Sequence, residues 1–217
     1  MSKTSIRLGV LGKSGNGKSY YTKNTLIPEL VRFKPVIIFD RKGEYAGSRA
    51  KDIPAGLKWN AYESIFDFLA KNSSEIKKEV HVIKCRRNSD YYYGLKFFFT
   101  LSDAQLKGGL PVSIILEEAH TLLKAPDFKE QKRWLIELAR HGRHEYLDLI
   151  LISQRTLDIP TDVRSQISAW ISFHQALEND IQALVSLGHP EAEKILDLEA
   201  RKHISFGEIP NNLKKIK

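Results

Sequence analysis

Four short stretches of this 217-residue chain carry side chains whose types and spacing suit phosphoanhydride chemistry. The first is Gly12-Lys13-Ser14-Gly15-Asn16-Gly17-Lys18-Ser19, which fits G-x-x-x-x-G-K-S/T. Glycines at that spacing let successive backbone N–H groups curl around a polyphosphate, and a following helix adds partial positive charge. Lys18 is then placed for the β- and γ-phosphates and the Ser19 hydroxyl for Mg²⁺. Gly12, Lys13, Ser14, Gly15, Asn16, Gly17, Lys18 and Ser19 are therefore the expected nucleotide-binding set, with ATP and Mg²⁺ as its cofactors.

Binding a triphosphate is not cleaving it. Cleavage needs a held metal, an aligned water and donors for charge developing on the γ-phosphoryl oxygens. Glu117 ends an apolar run, Pro111 to Glu117, and is placed to meet the Mg²⁺ shell together with Ser19. Glu118, the next residue, is placed to orient or deprotonate the attacking water. Adjacent glutamates also favour a plain helix start, but behind a strand and a phosphate loop the chemical account is preferred. Gln154 closes the run Tyr146 to Ser153, where an amide can sense the γ-phosphate or hold the water. The charge-stabilising cation is not singled out by spacing: Arg140, Arg143 and Arg155 all stand near the ends of elements.

The elements that must position these groups alternate between strand and helix. Strands are expected over 6–11, 35–40, 79–85, 111–117, 146–153, 170–173 and 203–206. Helices are expected over 20–33, 61–71, 91–109, 128–144, 177–187 and 190–198. The aromatic run Tyr91 to Phe99 could stack on bases, though core packing is the commoner use of such a run. The fold class is therefore α/β, a mostly parallel central sheet with helices on both faces. Its carboxyl edge would collect Asp40, Glu117, Glu118, Gln154 and Arg155 beside the phosphate loop. Residues 1–210 are expected to form a single domain and 211–217 a basic tail.

A formal net charge of +8 favours an anionic partner, nucleic acid first. Cys85 is the sole cysteine, so no intramolecular disulfide is available. No apolar run approaches membrane-spanning length, and a cytoplasmic location is expected. His141 and His144 lack a second ligand cluster, which argues against a structural metal site.

These stretches, taken together, resemble the FtsK–HerA superfamily of P-loop motor ATPases. The resemblance rests on the phosphate loop, Phe39-Asp40-Arg41-Lys42-Gly43-Glu44-Tyr45, Ile115-Leu116-Glu117-Glu118-Ala119-His120 and Ile152-Ser153-Gln154-Arg155, with Ile159 to Gln166 following. It implies an additional-strand, catalytic-glutamate core that assembles into a homo-oligomeric ring of five or six subunits. Such a ring pulls double-stranded DNA through its pore. By position the resemblance makes Glu118 the catalytic glutamate and Gln154 the polar sensor. It aligns Arg143 with positions where an arginine acts on a neighbouring subunit. Glu117 stands where the family usually has aspartate, so the division of labour between the two glutamates stays open.

A chain little larger than the motor core resembles the genome-packaging ATPases of membrane-containing icosahedral viruses, which would bring a capsid or membrane vertex as partner. HerA-type or plasmid-transfer translocases, and ATPases that export protein, remain alternatives. Asp40-Arg41-Lys42-Gly43 also matches the D-x-x-G of nucleotide switches, but no Asn-Lys-x-Asp guanine-reading motif occurs. A small-molecule kinase would need an arginine-rich lid, and none is evident. DNA contacts are expected from the basic stretches Lys84 to Asn88 and Lys124 to Arg133.

Overall fold

The structure is a computed structural model that describes residues 5–46, 54–105, 111–124, 129–141 and 147–209. Eight strands form one sheet in the order β3-β4-β2-β5-β6-β1-β7-β8. They are β1 (Arg7–Leu11), β2 (Val36–Asp40), β3 (Trp59–Tyr62), β4 (Val80–Lys84), β5 (Ser113–Leu116), β6 (Asp148–Ser153), β7 (Ala169–Phe173) and β8 (His203–Gly207). Every neighbouring pair is parallel except β7 with β8. The expected class, α/β with a mostly parallel sheet, is what the chain adopts.

The helices are α1 (Lys18–Tyr21), α2 (Ile27–Val31), α3 (Ile65–Lys71), α4 (Asn88–Gln105), α5 (Ala119–Lys124), α6 (Lys129–His141), α7 (Thr161–Arg164) and α8 (Glu178–Ser186). Two apolar clusters, one on each face of the sheet, account for the near-continuous apolar runs in β1, β2, β5 and β6. In one, Leu11, Phe39 and Leu116 meet Tyr91, Leu95 and Phe98 of α4. In the other, Val10, Ile38 and Ile152 meet Leu26, Ile27 and Leu30 from the segment after the phosphate loop.

The aromatic run is thus mainly core. Tyr91 stacks on Phe39 at 5.6 Å between ring centroids, and Phe98 meets the same ring edge-on at 6.1 Å. Gly94 makes this contact possible, since a Cβ there would lie 2.3 Å from the Phe39 ring.

Several elements differ from expectation. Ala61 and Tyr62, expected to open a helix, end the edge strand Trp59–Tyr62 instead, and α3 begins only at Ile65. The reason is local: Ser64 is extended and its hydroxyl accepts from Asp67 N–H at 3.2 Å, an N-cap that stops the helix reaching back. The segment expected as one helix over 20–33 is α1 and α2 joined by a π-turn, Thr22–Leu26. The last expected helix is a 3₁₀ segment, Ala192–Asp197. Helices α5 and α7 are additions to the expected set.

Two buried charges fasten the amino edge of the sheet. The guanidinium of Arg7, 1% exposed, donates to the carbonyls of Ile6 (3.0 Å), Leu138 (3.2 Å), Ala139 (3.2 Å) and Leu147 (2.6 Å). It satisfies last-turn carbonyls of α6 and ties that helix to β1. The Asp148 carboxylate accepts from Ile6 N–H (2.9 Å), Ser113 Oγ (2.7 Å) and Lys34 Nζ (2.8 Å).

Candidate active site

The carboxyl edge gathers the expected groups because of strand order. β6 lies between β1, which leads into the phosphate loop, and β5, which leads into Glu117 and Glu118. Leu11 pairs with Ser153, so Gln154 emerges beside Gly12. Phe39 pairs with Leu116, and Glu117 N–H donates to the Phe39 carbonyl at 3.1 Å, bringing Asp40 alongside Glu117.

The loop itself is held open by glycine. Gly12, Gly15 and Gly17 have φ of 146°, 83° and 105°. At Gly12 a Cβ would lie 2.6 Å from Phe173 Cβ, so both its conformation and its packing require glycine. The loop is anchored to the end of β7: Lys13 N–H donates to the His174 carbonyl at 2.9 Å, and Asn16 Nδ2 to the same oxygen at 3.3 Å. Lys18 Nζ rests on the carbonyls of Gly12 (2.6 Å) and Lys13 (3.1 Å), spanning the hollow of the loop. Burial lowers the Lys18 pKa, and Glu118, Glu117 and Glu44 oppose that shift.

Glu117 and Glu118 are adjacent in sequence and opposite in state. Glu117 is 1% exposed, and its Oε2 has no hydrogen-bond partner. Burial first, then the charges of Glu118, Glu44 and Asp40, push its pKa up to about 9. Glu118 is turned away by a left-handed backbone, φ 50°. Its carboxylate accepts from Lys42 Nζ at 2.6 Å, His120 Nε2 at 2.9 Å and Gln154 Nε2 at 3.1 Å. Burial disfavours the charge, but hydrogen bonds from His120, Lys42 and Gln154 outweigh it and hold the pKa down at about 2.

Asp40, expected at this edge, acts through the backbone. Its two carboxylate oxygens accept from the N–H groups of Glu44 (3.0 Å), Tyr45 (2.9 Å) and Ala46 (3.0 Å). That cap folds the turn after β2 so that Glu44 accepts a short hydrogen bond from Ser19 Oγ. The same turn delivers Lys42 to Glu118. Spacing alone does not single out Lys42, Glu44 or His120 as site residues; their nearness to short motifs is the available signal.

A divalent cation fits what surrounds Ser19. The unpartnered buried oxygen of Glu117 is the kind of acceptor such an ion satisfies, and Ser19 Oγ with Glu44 adds oxygen donors. Among the described residues no group of three His, Cys, Asp or Glu is placed to hold a metal ion by itself, so phosphate oxygens and waters would have to complete the shell.

The arginine candidates separate. Arg155 Nε donates to Asp180 Oδ2 of α8 at 3.0 Å and so is engaged within its own chain. Arg140 is exposed on α6, and none of the hydrogen bonds described around the carboxylates involves it. Arg143 lies outside the described residues. A cavity of about 240 Å³ opens between Lys13, Gln154, Arg155 and Asp180, against the start of the loop.

Of the basic stretches, Lys84 and Arg86 both pair with Glu63, leaving Arg87 as the exposed arginine of that turn without a described ion pair. Lys124 to Arg133 lies partly outside the described residues. No described helix is long and apolar enough to cross a membrane.

An extra strand between the phosphate-loop strand and the carboxylate strand, with a glutamate after the second, defines a P-loop ATPase of the additional-strand, catalytic-glutamate class. The chain belongs to the family described as the central domain of helicase HerA, whose model matches residues 3–149, within the FtsK–HerA superfamily. It is 30% identical over 87 residues to the DNA double-strand break repair helicase HerA of Sulfurisphaera tokodaii. That match covers 40% of this chain and 18% of the helicase, so the chain spans well under two thirds of that relative. Its fold is similar to the genome packaging NTPase B204 of Sulfolobus turreted icosahedral virus 2, solved in complex with AMP. That likeness has a TM-score of 0.68 at 23% identity, covering 95% of this chain and 94% of that one. VirB4 of Thermoanaerobacter pseudethanolicus is similar at a TM-score of 0.62 and 13% identity, covering 99% and 92%.

Proposed function

We propose that the chain hydrolyses ATP and couples hydrolysis to movement of double-stranded DNA, as the genome-packaging motor of a virus. The observation that carries hydrolysis is the ionised Glu118 carboxylate, held by Gln154 and Lys42 next to the phosphate loop. In this reading Gly12 to Lys18 bind the triphosphate, with Lys18 leaving its loop carbonyls for the β- and γ-phosphates. Ser19 and Glu117 would hold Mg²⁺, with Glu44 beside them, and the ion would offset negative charge on the bound phosphates.

Glu118 takes the proton of the attacking water, and Gln154 fixes the direction of its carboxylate. Lys42 neutralises Glu118 in the resting site and must withdraw for that carboxylate to serve as base. An arginine from the neighbouring subunit of a homo-oligomeric ring, Arg143 or the exposed Arg140, supplies charge stabilisation at the open side of the site.

Packaging is supported by the likeness to B204 over nearly the whole length of both chains. The identity to the Sulfurisphaera helicase favours a second reading, a HerA-type translocase of a cell. Both predict the same first experiment: phosphate release from ATP with and without linear duplex DNA. Stimulation by DNA, abolished in Lys18→Ala and Glu118→Gln, is the expected result. Hydrolysis indifferent to DNA would point to an ATPase that moves protein, and transfer of phosphate to an added acceptor would point to a kinase.

A further inference from the structure

Two described residues other than glycine have positive φ, Glu118 at 50° and Arg201 at 68°. A left-handed backbone is strained for a residue with a Cβ, so it persists where the surroundings hold it, often at functional sites. Glu118 has its account in the carboxylate cluster. Arg201 belongs to none of the four motifs, yet the phosphate loop is what holds it.

Arg201 N–H donates to the Asn16 carbonyl at 3.1 Å. Its Cα, Cγ and Cβ lie 3.1, 3.3 and 3.4 Å from where a Cβ on Gly17 would stand. Gly17 therefore admits the Arg201 backbone as well as its own φ of 105°. From this anchor the guanidinium lies over the ring of Tyr20, 5.4 Å from the centroid. Tyr20 directly follows Ser19 and is 57% exposed, and Arg201 is exposed too. An uncovered aromatic–guanidinium stack thus flanks the Asn16–Gly17 end of the loop, while the cavity with Gln154 lies at its Lys13 end.

We propose that Tyr20 and Arg201 form the platform that takes the base of the nucleotide. A triphosphate anchored at Lys18 leaves its ribose and base to extend from the α-phosphate along the loop's far end. A planar heteroaromatic ring there gains by stacking on a phenol or a guanidinium plane. Flat faces without a fixed set of hydrogen-bond partners read shape rather than base edges, so ATP and GTP are accepted with similar affinity. The platform rests on the nucleotide-binding reading above and adds the base subsite and its weak selectivity.

The test is calorimetric binding of ATP, GTP and inorganic tripolyphosphate to the intact chain, alongside Arg201→Gly, which keeps the left-handed backbone, and Tyr20→Ala. Each variant is expected to lose about tenfold in affinity for ATP and for GTP while tripolyphosphate binding stays within about twofold of the parent. Unchanged ATP affinity in both variants would overturn the platform. So would a parallel fall in tripolyphosphate affinity, which would make Arg201 a support for the loop. A parent that binds tripolyphosphate as tightly as ATP removes the base subsite alone. A parent that binds neither removes the nucleotide reading and the platform with it.

Discussion

Nε2 of Gln154 lies 3.1 Å from each carboxylate oxygen of Glu118, so one amide from the end of β6 holds both oxygens of the residue after β5. The amide fixes the plane of the carboxylate, and in the proposed mechanism that plane decides which lone pair faces the attacking water. Gln154→Ala is expected to lower hydrolysis about 10- to 100-fold through misalignment while ATP affinity changes little. Glu118→Gln is expected to lower it by about 100-fold or more. Steady-state phosphate release beside calorimetric ATP binding separates the two effects. A Gln154→Ala enzyme with weakened ATP binding and an intact rate would make Gln154 a phosphate ligand instead.

Lys42 reaches the same carboxylate from the carboxyl end of β2, on the other side of β5 from Gln154, and lies 2.6 Å from Oε1. Removing it leaves Glu118 with Gln154 and His120. Lys42→Ala is expected to raise DNA-independent hydrolysis severalfold, because the resting ion pair no longer competes for the base. A fall in that basal rate would show that Lys42 works on the phosphates.

Glu117 makes stability depend on pH in a defined direction. Its pKa is about 9 in the folded chain against 4.5 for an ordinary glutamate carboxyl. A raised pKa means the folded state keeps a proton that the unfolded chain releases. The stability it contributes is fully present below pH 4.5 and is lost progressively as pH rises toward 9. Glu118, lowered to about 2, contributes stability present above 4.5 and lost as pH falls through 2. Glu117→Gln is expected to flatten the neutral-to-alkaline fall in Tm and to raise Tm by about 2–4 °C near pH 8. In the parent chain, adding ATP with Mg²⁺ near neutral pH is expected to release a proton, since a ligating carboxylate must be ionised. Calorimetry in buffers of different ionisation enthalpy reads that proton, and chelating the metal should abolish it.

Gly12→Ala forces a Cβ to within 2.6 Å of Phe173 at a φ of 146°. Overpacking of that kind costs about 1–3 kcal/mol, so Tm is expected to fall by about 5 °C. Thermal unfolding measures it; an unchanged Tm would mean β7 can move away from the loop.

DNA held by its backbone should be released by salt. Binding of linear duplex is expected to weaken at least about tenfold between roughly 50 and 200 mM salt, without regard to sequence. A flat response in a filter-binding titration would remove the backbone grip.

The parts of the site carried by contiguous residues are legible in the chain itself. Lys18, Ser19, Glu117, Glu118 and Gln154 each sit in a run whose flanking strand is apolar enough to read. The residues that set their charge states are not. Lys42 and Glu44 reach the site only because Asp40 caps three backbone N–H groups, a tertiary event that a polar turn does not announce. Arg201 is farther still, brought in by the antiparallel return of β8. Ala61 and Tyr62, the end of edge strand β3, read as helix although Ser64 and Asp67 carry the capping signal for a helix start. The apolar residues Ile65, Phe66 and Leu69 fix the helical period but not where it begins.

The position of β6 has a mechanical meaning. It is hydrogen-bonded to β1 on one side and β5 on the other, five residues deep against the first and four against the second. Sheet ladders resist stretching across their width, so the distance between phosphate loop and glutamate pair is a fixed gauge. What is free to change is the set of side chains spanning that gauge, Lys18, Lys42 and Gln154. In the proposed motor each turnover resets contacts on a rigid frame, and a stroke passed to a neighbouring subunit leaves through the loops.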